Sequence, residues 1–236
     1  MIMKLRLGIT LIFLFFPTLA TAQSPLESWE AGKSVTMAQV EVFGLDKCFT
    51  EQGISDEIFE RMKGKSYKDG CTIPLSELRY IKVLHITIDK EIRLGEMVVN
   101  RAISREVIAI FRELFEAKYP IEKMVLVDEY NADDNASMAD NNSSAFNYRT
   151  IPSGGRLSAH SRGMAIDINP LYNPYIKQYP DKTIIAPKEA KEYANRNTTF
   201  PYKIERDDLC CQLFRQYGFE WGGDYKSIKD YQHFEK

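Results

Sequence analysis

Apolar positions recur along this chain with two different periods, and those periods divide it into elements. Across residues 100–118, Ile103, Val107, Ile110, Phe111, Leu114 and Phe115 fall on one face of a helical repeat, while Arg105, Glu106, Arg112, Glu113 and Glu116 lie off it. This predicts an amphipathic helix stopped by Pro120, with Ser104 as its cap if it starts late. Residues 80–88 (YIKVLHITI) alternate and are rich in β-branched and aromatic types, which predicts a strand. The short apolar run 123–129 reads as a buried strand, and 164–168 and 232–235 as further short strands. Residues 55–62 predict a short helix capped by Ser55, and 75–78 a brief turn or helix. A short helix is also expected over 188–194, and an amphipathic one over 207–217, closed by Gly218.

Between these elements the polar stretches differ in kind. Residues 23–39 lack a clear period and read as a leader. Residues 130–157 are rich in Asn, Asp, Ser and Gly. Long structureless loops are uncommon in compact domains unless they work, so this one is expected to form an active-site rim. Residues 171–180 (LYNPYIKQYP) read as a loop wrapped over a sheet. Separated strands with helices between them, and no nucleotide-binding glycine loop, point to an α+β class in which helices pack on an antiparallel sheet.

The N-terminus changes the picture of where the protein works. Lys4 and Arg6 precede an apolar run over 7–16, Pro17 breaks it, and Ala20-Thr21-Ala22 supplies small residues before a cleavage point. This is the pattern of a secretory signal peptide cleaved after Ala22, and the run is short for a membrane span. A secreted or periplasmic protein without stable membrane insertion is expected, and a monomer. The organisation expected is a signal peptide over 1–22, a leader over 23–45, and one domain over 46–236 with an N-terminal extension to about residue 120. With 31 basic against 33 acidic residues and a net charge of −2, there is no basic field to hold nucleic acid. Export permits disulfides. Of the four cysteines, Cys48 and Cys71 are expected to pair, while adjacent Cys210 and Cys211 are expected to stay reduced.

The candidate chemistry lies in SAHSRGMAIDINP, residues 158–170. His160 and Asp167 sit seven positions apart around Gly163, a mixed nitrogen and oxygen ligand pair held by a turn and a strand, which suggests zinc. The only other histidines are His85 and His233. His85 is a lone histidine in mid-strand, more often structural than a ligand. His233 lies three residues after Asp230, behind Trp221-Gly222-Gly223. Three ligands would leave one tetrahedral position open, as in a catalytic zinc site. Zinc lowers the pKa of bound water to about 7, and Asp230 is then placed to take a proton from that water and pass it to a leaving amine.

These motifs, SxHxxGxAxD followed by WGGDY and DxxHF, resemble those of the zinc D-alanyl-D-alanine carboxypeptidase family. That family includes VanY-like and VanX-like enzymes and the L-alanyl-D-glutamate endopeptidases of phage lysins. The resemblance covers about residues 119–235. It implies a hedgehog/DD-peptidase-like fold, zinc on His160, Asp167 and His233, Asp230 as catalytic base, and Ser158 as a substrate contact. Asp rather than Glu at the base position is similar to the endopeptidase-like branch. The family also uses an arginine to polarise the scissile carbonyl. Many relatives carry it just after the strand that corresponds to 124–129, but here that turn reads EYNADD. Arg149 is the candidate instead, and Arg156 and Arg162 could grip a substrate carboxylate. The expected substrate is the peptidoglycan stem peptide, with release of terminal D-Ala leading. Competing readings are an L-alanyl-D-glutamate-type endopeptidase, or a non-catalytic zinc-containing cell-wall binding module, as related hedgehog domains suggest.

Overall fold

The structure, a computed structural model, describes residues 24–150 and 155–236. The expected signal peptide therefore lies outside the described residues. The first described segment is not a featureless leader. It folds into helix α1 (Pro25–Ser28), strand β1 (Ser34–Val35) and helix α2 (Met37–Phe43). Thr36 and Gln39 form a reciprocal capping box at the start of α2. Leu26, Trp29, Val35 and Val40 are buried in the main core, and the Trp29 indole N–H donates to the Gly95 carbonyl at 3.0 Å.

Strand β2 (Thr50–Gln52) and helix α3 (Asp56–Met62) follow, the latter capped by Ser55 as its sequence predicts. Strands β3 (Leu78–Ile86) and β4 (Ile92–Asn100) pair antiparallel along their whole length. With β1 and β2 they make a four-stranded antiparallel sheet in the order β1-β4-β3-β2. β4 escapes pattern reading because residues 94–99 are buried on both faces, so no alternation survives. Inside it, the Glu96 carboxylate is 1% exposed. It accepts hydrogen bonds from Arg61 (2.5 and 2.9 Å), the Tyr80 hydroxyl (2.6 Å) and the Leu126 N–H (3.3 Å), which tie α3, β3 and β4 together.

Helix α4 (Ser104–Glu116) lays Val107, Ile110, Phe111, Leu114 and Phe115 into the core. It begins four residues later than its pattern suggests, because Asn100 ends β4 and its side chain accepts the Ala102 N–H at 2.9 Å. The run 123–129 is not a strand. Met124, Leu126 and Val127 are apolar because they are buried, and residues 127–130 form a 3₁₀ turn. The polar stretch after it is ordered by helix α5 (Asp134–Ala139), capped by Asp133, and by a bridge from Ser144 to Asp167.

The C-terminal part holds β5 (Ala165–Asp167), β6 (Tyr175–Gln178), β7 (Thr183–Ala186) and α6 (Leu209–Gln216), then β8 (Glu220–Trp221), β9 (Lys229–Asp230) and β10 (His233–Glu235). Residues 171–180 therefore supply a strand, not only a loop. The strands form two three-stranded sheets, β5-β10-β8 and β7-β6-β9. The α+β class holds, but its antiparallel pairing is divided among three small sheets. Helix α6 joins the halves: Phe214 meets Phe111 of α4 edge-on at 6.4 Å and stacks on Phe234 of β10 at 4.2 Å. No helix among the described residues is long and apolar enough to cross a membrane.

The expected disulfide does not form; all four cysteines are free thiols. Cys48 belongs to the main core, whereas Cys71 packs against the separate cluster around Met62, Leu78 and Phe146. The two stay apart because their segments fold onto different cores. Cys210 and Cys211 are buried and reduced, as expected.

Candidate metal centre

His160, Asp167 and His233 converge, although 73 residues separate the first from the last. The convergence is set by strand register. β10 pairs antiparallel with β5, and His233 stands directly opposite Asp167. Opposed side chains on one face of such a pair start about 5 Å apart. His160 arrives from a 3₁₀ turn, His160–Arg162, that ends at Gly163 in the left-handed region with φ 65°. Gly163 is required here twice over. Other residues seldom adopt that φ, and a Cβ would lie 2.7 Å from the Asn100 backbone nitrogen.

The His160 Nδ1–H donates to the Ala145 carbonyl at 2.7 Å, so its Nε2 faces the cluster as a lone pair. That Nε2 lies 3.2 Å from His233 Nδ1 and 3.3 Å from Asp167 Oδ2, and His233 Nδ1 lies 3.1 Å from Asp167 Oδ1. A tetrahedral ion held at bond lengths of about 2.0–2.1 Å separates its ligand atoms by about 3.3 Å. The three donors therefore fit a zinc-sized ion in both chemistry and spacing. All three residues are at least nine-tenths buried.

The electrostatics point the same way. Burial works against the Asp167 charge, but His160 and His233 outweigh it and hold the carboxyl well below the usual range. Burial likewise works against a charged His233, yet hydrogen bonds to Asp167 and Glu235 raise it well above an ordinary histidine. The pocket is thus built to hold positive charge. Outer contacts orient the cluster: Glu235 Oε2 lies 3.4 Å from His233 Nε2, and the Tyr225 hydroxyl donates to Glu235 Oε1 at 2.6 Å. The motifs assign no role to Glu235 and carry Tyr225 only as the end of WGGDY, although Glu235, two residues past His233 in a strand, must share its face.

Asp230 lies on β9 beside this cluster. Its Oδ1 is buried with no hydrogen-bond partner, and burial pushes its carboxyl up, with the Asp167 charge adding to the effect. An unpaired buried carboxylate oxygen is costly, and persists where it has a further task. Gly222 makes the approach possible: a Cβ there would lie 2.5 Å from the Asp230 carbonyl oxygen and 2.8 Å from the Asp230 Cβ.

Ser158 is buried beside the cluster, and its Oγ accepts the His160 N–H at 3.1 Å, so it shapes the turn that carries His160. Arg149 reaches the same turn through its backbone, donating to Ser161 Oγ at 2.8 Å and accepting from the Ser158 N–H at 3.1 Å. Its guanidinium is paired with Asp134 at the start of α5. His85 stays apart from the cluster, with Nδ1 2.8 Å from the Ile121 carbonyl.

Residues 152–236 match the family model described as D-alanyl-D-alanine carboxypeptidase. This C-terminal region is similar to that family. The match is narrower than the resemblance in the motifs, starting at residue 152, and it contains the three converging residues and Asp230. No curated protein and no solved structure matches the chain. The region that matches the family model therefore holds the three converging residues, while the Ala145 carbonyl and Arg149 come from outside it.

Proposed function

We propose that this protein is an exported zinc metallopeptidase that hydrolyses peptidoglycan stem peptides and releases the terminal D-Ala. The observation that carries the reading is the tetrahedral spacing of His160 Nε2, His233 Nδ1 and the Asp167 carboxylate, with the unpaired Asp230 oxygen beside them. In this reading the two imidazoles and Asp167 hold the ion. When bound, zinc supplies a Lewis acid and lowers the pKa of water to near neutrality. Asp230 accepts the proton of the attacking water and returns it to the nitrogen of the leaving amine. Its burial suits this exchange, since a carboxylate raised above its usual range both takes and gives up a proton near neutral pH. Arg149 keeps guanidinium N–H groups beyond its Asp134 pairing that could steady the scissile carbonyl oxygen. Ser158 holds the turn on which His160 stands, at the wall against which substrate would lie. The N-terminal pattern supports export.

The test is hydrolysis of defined pentapeptide stems with products read by mass. Release of a single D-Ala, lost on chelation and restored by zinc, is the expected result. Cleavage between L-Ala and D-Glu would replace the carboxypeptidase reading with the endopeptidase one. Asp230→Asn should keep zinc but lose at least a hundredfold in kcat. Zinc binding without turnover of any stem would leave a cell-wall binding module.

A further inference from the structure

Beside the metal cluster lies a cleft of about 550 Å³ whose walls include Arg156, Ser158, Arg162, Glu220 and Glu235. It continues the same face of the β5-β10-β8 sheet that displays the ligands. His233 and Glu235 are two residues apart on β10 and share a face, and Glu220 of β8 stands opposite Glu235. The Glu235 row is therefore about 7 Å from the His233 row along the strand. An extended peptide running along this face advances two residues over that distance. The cleft thus faces the side chain two positions from the bond at the metal.

Its charges are of both signs, and they divide into used and unused groups. Glu235 is held by Tyr225 and His233, and Lys236 at the edge is paired with Glu106 at 2.7 Å. Arg156, Arg162 and Glu220 are exposed. Among the described residues none of these three has an ion-pair partner. Two free guanidinium groups and one free carboxylate lining one cleft suit a ligand group that itself carries one carboxylate and one ammonium.

We propose that this cleft is a specificity subsite for a zwitterionic side chain two residues from the cleaved bond. Arg156 and Arg162 take its carboxylate and Glu220 its ammonium. The subsite rests on the reading that the cluster cleaves stem peptides. In a stem pentapeptide cut before its last residue, the position addressed is the third, the diamino acid. A diaminopimelate there ends in the required carboxylate and ammonium. A lysine offers the ammonium alone.

The experiment compares two pentapeptides, L-Ala-γ-D-Glu-X-D-Ala-D-Ala with X either diaminopimelate or lysine, on the zinc-loaded protein. The expected kcat/KM is about tenfold higher for diaminopimelate, the scale of one charge-assisted pair near the surface. In R156Q/R162Q the preference for the diaminopimelate peptide should vanish. In E220Q both peptides should slow together. Equal cleavage of the two by the unsubstituted protein, or a preference that survives R156Q/R162Q, overturns the proposal. If neither peptide is cleaved, the peptidase reading fails by itself. Calorimetric binding of the same two peptides then decides the subsite: tighter binding of the diaminopimelate peptide, lost in R156Q/R162Q, supports it, and equal dissociation constants overturn it.

Discussion

Gly222→Ala places one methyl group at the point where the site is most tightly assembled. Gly222 needs space at its Cα, not an unusual φ. The added Cβ would meet the Asp230 carbonyl oxygen at 2.5 Å, the Asp230 Cβ at 2.8 Å and the His233 Cβ at 3.2 Å. Ordinary van der Waals contact begins near 3.4 Å, so backbone must move by about 0.6–0.9 Å to admit it. Neither neighbour is the loose end of a flexible chain, and β9 and β10 have to give. Overpacking of this kind costs about 1–3 kcal/mol of stability. A displacement approaching 1 Å at the catalytic group costs about a hundredfold in rate. We therefore expect the variant to remain folded, with kcat/KM on a D-Ala-D-Ala pentapeptide reduced about a hundredfold and zinc affinity weakened through His233. Urea unfolding separates loss of fold from loss of geometry. Gly53→Ala is the control, because nothing lies within 4 Å of its added Cβ. A folded Gly222→Ala protein with full activity and full zinc affinity would show that the placement of Asp230 and His233 is not what the reaction uses.

His160→Ala removes one of three ligands and should abolish stoichiometric zinc, measured by mass spectrometry of the purified protein; retained zinc would refute the ligand set. Arg61→Ala leaves the buried Glu96 carboxylate with only Tyr80 and Leu126 as donors, and should cost about 2–3 kcal/mol in urea unfolding, since Arg61 is about a third exposed and the full penalty is screened. A loss under about 0.5 kcal/mol would refute that accounting. Burial lowers the His85 pKa from 6.5 to about 4, so the unfolded chain binds more protons between those values. Stability should fall as pH drops through that window, by about 3 kcal/mol in all, and the His85 imidazole resonances should titrate near 4. A midpoint near 6.5 would overturn the assignment.

The clustering of His160, Asp167 and His233 was legible because these residues are rare and their chemistry is narrow: three histidines in the chain, two in motifs that also carry an aspartate. The amphipathic helix α4 and the cap at Ser55 were legible because one face of each meets water. β4 was not, since burial of both its faces removes the alternation that marks a strand. The run 123–129 differs in the opposite direction: burial alone made Met124, Leu126 and Val127 apolar, and the run pairs only through an isolated bridge from Lys123 to Asn142. The Cys48–Cys71 pairing failed for want of tertiary information: nearness in sequence does not reveal that Cys48 faces the main core and Cys71 the smaller one. Gly222-Gly223 read as a turn, but its close contact with Asp230 depends on β9 lying against it.

The region that matches the carboxypeptidase family does not complete the site by its own residues. The His160 tautomer is fixed by the Ala145 carbonyl, and Asp167 is bridged on its backbone by Ser144, with reciprocal hydrogen bonds of 2.8 and 3.0 Å. Both partners lie before residue 152. That preceding segment is anchored in turn: the Phe146 N–H donates to the Val98 carbonyl in β4, and the Tyr148 N–H to the Ser66 carbonyl. Ser66 donates through its backbone and side chain to buried Asp128 at 2.9 and 3.0 Å. A chain of hydrogen bonds therefore runs from the N-terminal sheet to His160 and Asp167 of the first motif. The N-terminal half acts as the frame against which His160 and Asp167 are aimed at His233, the kind of support a metal site would need, since such a site tolerates little error in the direction of its donors.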